Sequence, residues 1–231
     1  MFYWNTNFKN VVVELSGGAD SSLLYYFVAA SYPDANIYVI TLVTDKKPFY
    51  VDSSKRVISK VKELTGKEPT EHIFVHGSHK EYTDLLNNAV QDAIKKYNVD
   101  IVYTGISVNS DHQQIRDWVK INQFRYNIDY DTAMYHIDKR DKKRDTRPDY
   151  DVVSTLPPDF QTLYNSPWAH KDKHLIADLY KEYGVLETLF PYTISCANYT
   201  DETYTTLEEH KHCGYKCFPC LERWEAFGRL D

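Results

Sequence analysis

The feature that most restricts the fold is the passage over residues 11–22, V-V-V-E-L-S-G-G-A-D-S-S. Three consecutive valines call for an extended, buried segment, because β-branched side chains suit a pleated surface and crowd a helix. Gly17 and Gly18 break the run, and helix-compatible residues follow over 21–30. A strand, a tight glycine turn and a helix start therefore lie in immediate succession. Glycine accepts a positive φ and carries no Cβ, so a ligand can come close to such a turn. The opening N–H groups of a helix have no partner within it and attract an anion, most often phosphate. Ser16, Gly17, Gly18, Ala19, Asp20, Ser21 and Ser22 are thus the candidate phosphate-binding residues. Asp20 puts a carboxylate at the helix start, which beside a polyphosphate suits Mg²⁺. The competing structural reading is an ordinary strand–turn–helix corner with Asp20 as its cap.

Residues 16–21 resemble the S-G-G-x-D-S pyrophosphate loop of the N-type ATP pyrophosphatases and match it at every position. The resemblance implies that ATP is bound and cleaved to AMP and pyrophosphate, activating a carboxyl or carbonyl oxygen as an adenylate. It leaves the acceptor open.

Further along, apolar β-branched runs at 36–43, 71–76 and 100–104 alternate with helical spacings at 53–65 and 82–97. The first of those helices runs through Val57, Val61 and Leu64 to Gly66, a residue suited to a left-handed helix end. This alternation predicts an α/β fold with a doubly wound, mainly parallel sheet of the adenine nucleotide alpha hydrolase-like kind. Ligands of such sheets bind beyond the carboxyl ends of the strands. Over 122–165 the pattern fails; the stretch is polar and tyrosine-rich and reads as a long excursion over the mouth of the sheet. Its basic run at 139–147, K-R-D-K-K-R-D-T-R, is either a solvated face or a lid or grip for phosphate or RNA. Helical spacing returns over 170–183 and stops at Gly184. The expected division is an ATP-binding domain over 1–190 and a metal-bound segment over 191–231.

The loops at the strand ends bring the remaining candidates. After the second strand, Val43 and Phe49 offer apolar contact to an adenine, with core packing the other fate of Val43. After the fourth, Gly105 permits close backbone approach, and Asn109, Asp111, His112 and Arg116 add polar groups. Asp111 suits a second Mg²⁺ ligand or the orientation of a substrate amine; an ordinary surface acid is the alternative. Lys173 opens the later helix, where a cation either meets phosphate or a leaving group or lies exposed. Asp20, Asp111, Arg116 and Lys173 are the candidate catalytic groups.

Net charge is −6, which does not favour broad electrostatic binding to nucleic acid. No apolar run approaches the roughly 20 residues of a membrane span. The start, M-F-Y-W-N-T-N-F-K, lacks a signal-peptide pattern, so a cytoplasmic location is expected.

All four cysteines lie near the chain end: Cys196, then Cys213, Cys217 and Cys220 in H-C-G-Y-K-C-F-P-C-L-E-R. Short knuckle spacing with Gly214 in the turn fits a tetrahedral four-thiolate site. Zn²⁺ is the first choice, an iron–sulfur cluster the second and unrelated free thiols the third. A bound ion would fix a segment too short to build its own core. His210 and His212 lie close enough to be considered with them.

This segment is similar to the 7-cyano-7-deazaguanine synthase (QueC-like) family, in the order S-C and then C-G-x-C-x-x-C-x-x-R, with one extra residue between Cys213 and Cys217. Ser166-Pro167 with Lys173, the segment 186–196, the stretch 105–116 and Arg223 resemble family positions in the same order. The resemblance implies ATP, Mg²⁺ and Zn²⁺ as cofactors. It implies a deazapurine acid (7-carboxy-7-deazaguanine) and ammonia as substrates, and a homodimer is common in families of this kind.

Overall fold

The computed structural model describes residues 7–141, 162–196 and 212–231. These fall into two compact units, one of residues 7–106 with 162–167, the other of residues 107–141 with 168–196 and 212–231. His210, Pro157, Pro158 and most of the basic run lie outside the described residues.

The first unit is built on a five-stranded sheet. Its strands are β1 (Asn10–Glu14), β2 (Asn36–Thr44), β3 (Glu71–Gly77), β4 (Ile101–Thr104) and β5 (Tyr164–Asn165). They lie in the order β3-β2-β1-β4-β5, and every neighbouring pair is parallel. The valines of β1 explain its central place. Val11, Val12 and Val13 point alternately to the two faces, and all three are fully buried, so both faces must be covered. The helices are α1 (Ala19–Ser31), α2 (Tyr50–Thr65) and α3 (Tyr82–Tyr97). On one face Val12, Ile40 and Val102 form a core with Leu86 and Val90 of α3. The two-residue β5 is too short to leave a period in the sequence.

Successive strands run β1 to β2 to β3 on one side, and the chain then returns to place β4 on the other side of β1. The strand order reverses between β1 and β4, which is where doubly wound sheets open a crevice for ligands. Leu15 extends the pairing past β1, its N–H donating to the Ile40 carbonyl at 2.9 Å. Thr41 Oγ1 then donates to the Leu15 carbonyl at 2.7 Å. The chain turns at Gly17, whose φ of 78° is the left-handed region. Gly105, directly after β4, faces the start of α1: a Cβ there would lie 2.7 Å from Ser21 Cα and 2.9 Å from Ser21 N.

In the second unit the structure corrects the sequence reading. The described first part of the expected excursion, 122–141, is largely helical: the end of α4 (His112–Tyr126) and all of α5 (Tyr130–Asp141) lie in it, and α6 (Lys173–Glu182) and α7 (Phe218–Phe227) follow later. Tyrosines and isolated aliphatics made the stretch look irregular, yet they alternate at helical spacing. Ile115, Val119, Ala133 and Ile137 are buried against Phe218 and Leu221 of α7. Trp118, Tyr126 and Trp224 complete the contact with ring centroids 4.8–5.8 Å apart. Among the described residues no helix is long and apolar enough to cross a membrane.

Gly105→Ala should lower stability by about 1–3 kcal/mol, the range for forcing atoms into a packed site. The obstruction is backbone rather than a flexible side chain. Thermal unfolding should show a midpoint several degrees lower, and an unchanged midpoint would refute the close packing.

Candidate functional site

The phosphate-loop candidates all lie in the first unit. Ser16 Oγ and Ser21 Oγ are 3.0 Å apart, and Ser21 Oγ also accepts the Ser16 N–H at 3.2 Å. Ser16 Oγ accepts the Gly18 N–H at 3.3 Å, so the two serine hydroxyls close the turn on itself. Gly18, which has no side chain to offer, is the N-cap of α1. Asp20 lies in the first turn of α1, two residues after the N-cap Gly18, so the cap position that the structural reading gave it belongs to the glycine. Ala19 and Ser22 are buried in the packing beneath the turn. Ser53 of α2 donates to the Ser16 carbonyl at 3.2 Å, and a Cβ on Gly17 would lie 2.5 Å from its hydroxyl oxygen. The loop is thus a preformed turn over a helix N-terminus at the crevice between β1 and β4, a geometry suited to oxyanions. Val43 and Phe49 are buried, 6% and 4% exposed, and contribute to the core beside β2.

Glu14 is a residue the sequence reading passed over. It ends β1 immediately before the loop, in register with Thr104 of β4. Burial pushes its carboxyl up to about 7, against the lowering effect of the Thr104 hydrogen bond. A single charged residue closing an otherwise apolar central strand was the available signal.

Asp111, Arg116 and Lys173 belong to the second unit. Asp111 is the N-cap of α4, its Oδ1 accepting the Gln113 and Gln114 N–H groups at 2.6 and 3.3 Å. Arg116 donates to Asp138 of α5 at 2.7 Å. Arg140, from the start of the basic run, donates to Asn109 at 3.1 Å and lies over the Phe218 ring. His112 packs edge-on against Phe218, and burial with Arg116 and Arg140 nearby lowers its pKa.

Lys173 is buried rather than exposed, because a carboxylate invisible to the sequence reading sits beside it. Glu222 of α7 lies 3.9 Å from Lys173 Nζ, and both side chains are less than a tenth exposed. Glu222 Oε1 also accepts the Ser110 N–H at 2.7 Å. One carboxylate therefore holds the start of α6 and the loop before α4. The Val108 N–H donates to the Lys171 carbonyl at 3.1 Å and reinforces that junction. Nothing in the local sequence of Glu222 distinguishes it from a surface helix residue.

The four cysteines do converge. Their sulfurs lie within 4.8 Å of one another, a donor set that can hold a metal ion. Cys213 Sγ is 3.4 Å from Cys217 Sγ and 3.7 Å from Cys220 Sγ. Hydrogen bonding from Cys213, and then from Cys217 and Cys220, favours the thiolate of Cys196. His212 is a support and not a fifth ligand: its Nε2 accepts the Ser195 N–H at 3.3 Å, and Nδ1 lies 2.9 Å from Asp231. Arg223 is fully buried with its charge spread over neutral oxygens. It donates to Leu230 O, Thr193 Oγ1, Ser195 Oγ and Phe190 O at 2.6–3.2 Å.

No family model and no curated protein matches this chain. Among solved structures it is similar to the U34-tRNA thiolase NcsA of Methanococcus maripaludis, whose structure carries a four-iron, four-sulfur cluster. The TM-score is 0.44 at 16% identity, covering 96% of this chain and 73% of that one. So distant a likeness fixes neither a substrate nor a cluster. The fold and loop define an α/β protein with a doubly wound parallel sheet and an oxyanion-suited turn at its switch point.

Glu222→Ala should cost about 3 kcal/mol or more, as expected when one member of a buried charged pair is removed. Glu222→Gln keeps an acceptor for Ser110 and should cost less. Chemical denaturation of the two variants checks the order, and equal stabilities would refute the pairing.

Proposed function

We propose that this protein is an ATP pyrophosphatase that transfers AMP to an oxygen of a carboxylate acceptor and releases pyrophosphate. The observation that supports the reading is the turn at residues 16–21. Two hydroxyls, a left-handed glycine and the α1 N-terminus with glycine at its N-cap stand at the crevice between β1 and β4. The loop's backbone amides and hydroxyls would neutralise charge building on the leaving pyrophosphate. Asp20 is the candidate holder of Mg²⁺, which when bound supplies further charge neutralisation on the phosphates. Lys173, held by Glu222, and Arg116 are the candidate cations for the acceptor or the leaving group. Asp111 is the candidate to orient a substrate amine.

The leading acceptor is 7-carboxy-7-deazaguanine, with ammonia as the nitrogen donor, giving 7-cyano-7-deazaguanine by amide formation and dehydration. Its support is the order of the C-terminal cysteines, Lys173 and Arg223. A second reading keeps the chemistry and replaces the acceptor with another acid, a protein terminus or a tRNA base. Its support is the segment at 44–50, T-D-K-K-P-F-Y, which departs from the usual sequence of that family.

Zn²⁺ is the ion proposed for the cysteine site, and the sulfur spacing supports it. Four thiolates about 2.3 Å from one Zn²⁺ are separated by roughly 3.8 Å. Two of the sulfur pairs, 3.4 and 3.7 Å apart, lie near that figure, and all four sulfurs lie within 4.8 Å of one another. A four-iron cluster assigns each cysteine to a different iron and spreads the sulfurs farther.

Purified protein should release pyrophosphate from ATP in the presence of 7-carboxy-7-deazaguanine and ammonium, with the nitrile detected by mass spectrometry. Asp20→Asn should slow release at least tenfold, a loss of about 1.4 kcal/mol in barrier lowering. Release without nitrile would favour another acceptor, and no release with any acceptor would refute adenylation. Elemental analysis should give one zinc per chain, falling below half in Cys220→Ser; iron with acid-labile sulfide would refute the single-ion assignment.

A further inference from the structure

Glu14 is chemically out of place at the end of a central strand whose preceding three residues are fully buried valines. Phosphate binding gives it no task, since a carboxylate repels the anion the loop attracts. In register it stands between Ile40 of β2 and Thr104 of β4. Thr104 is 2% exposed and hydrogen-bonds to the Glu14 carboxyl. By strand alternation Glu14 shares the face of Val12. Tyr164 of β5, in register with Val102, packs against the core of that same face. Its ring is near enough for the Glu14 charge to act on its hydroxyl, after burial, as the second cause of a raised pKa. Among the described residues the Tyr164 hydroxyl is buried with no hydrogen-bond partner. A buried hydroxyl in that state costs stability unless a small polar molecule completes its bonding.

We propose that Glu14, Thr104 and Tyr164 form a binding site for a small protonated amine, ammonium in the simplest case, with Glu14 accepting a proton from the nitrogen. The donor set selects this ligand class. A carboxylate, a threonine hydroxyl and a phenol together offer oxygens and a single negative charge. That set repels anions and supplies too few charged oxygens for a dedicated Mg²⁺ cage. A cation with several N–H donors satisfies the carboxylate and the phenol oxygen together. The position is at the carboxyl end of the central strands, two residues before Ser16 of the phosphate loop.

The inference deepens the adenylation reading and rests on it for its purpose. An amine must shed a proton before its lone pair can attack an acyl adenylate. In this step an N–H bond breaks, an O–H bond forms on Glu14, and the electron pair stays on nitrogen; nothing is oxidised. A carboxyl held near 7 accepts that proton far more readily than one at its ordinary 4.5.

Carbon-13 NMR of glutamate-labelled full-length protein at pH 7 tests the site, with the Glu14 carboxyl signal assigned from its loss in Glu14→Gln. Ammonium chloride should shift the signal saturably toward the ionised form. Sodium and tetramethylammonium chloride at equal ionic strength should not. Tyr164→Phe should raise the half-saturating ammonium concentration at least fivefold. If that variant does not fold, Thr104→Val carries the same expectation. Equal responses to the three salts would mean that water fills the site and would overturn the proposal, as would an unchanged half-saturation in the folded variant. The readout needs no turnover of ATP. Failure of pyrophosphate release would refute adenylation and leave the amine site standing, whereas a flat ammonium titration would refute the site alone.

Discussion

The close approach of Gly105 to the first turn of α1 is the contact on which the first unit depends. Two backbones meet where a methyl group would lie 2.7 Å from a Cα atom, so the end of β4 can lie directly beside the turn that follows β1. Without that proximity the sheet would still form, because its valines bury themselves on either face. The crevice at the strand reversal would be wider, and the serine-lined turn would stand apart from the strand that flanks it. Gly17 serves the same geometry from the other side, where Ser53 of α2 fills the space a side chain would need. The turn is enclosed by packing and closed by the hydroxyls of Ser16 and Ser21. A preformed turn spends little binding energy on ordering itself when an oxyanion arrives.

The second unit solves a different problem, that of a chain end with too little apolar surface of its own. Helix α7 answers it with three kinds of contact along one short length. Phe218 and Leu221 bury against α4 and α5, Glu222 reaches Lys173 and Ser110, and Arg223 gathers four oxygens from the final residues and the segment before Cys196. Cys217 and Cys220 begin the same helix. A metal ion on the four sulfurs would therefore fix the register of α7. The placement of Glu222, and with it the buried lysine, would follow. The cysteine cluster and the buried Lys173–Glu222 pair are thus joined through α7 within this unit.

Much of this was legible in residue order. The valine run, the two glycines and the serines gave the strand, the turn and the helix start, since each is a local preference of the backbone. The short cysteine spacing announced a cluster for the same reason. The helices over 112–141 were not legible, because their apolar faces are made of tyrosine, tryptophan and single aliphatics whose burial depends on α7. Glu14 carried a faint signal as a charge in an apolar strand. Glu222 carried none.

What the sequence by itself determined is the local conformation around residues 11–22 and the chemistry of a four-thiolate set, both consequences of side-chain type and short spacing. Only the tertiary structure decided what becomes of the charged groups. Lys173, Glu14 and Glu222 differ from exposed residues of the same kind solely in what packs against them. Segments distant in the chain remove their water and set their partners: Tyr164 joins Glu14 from 150 residues on, and Glu222 pairs with Lys173 from 49 residues on. Desolvation and pairing are properties of three-dimensional surroundings, and no period or motif in a linear sequence records them.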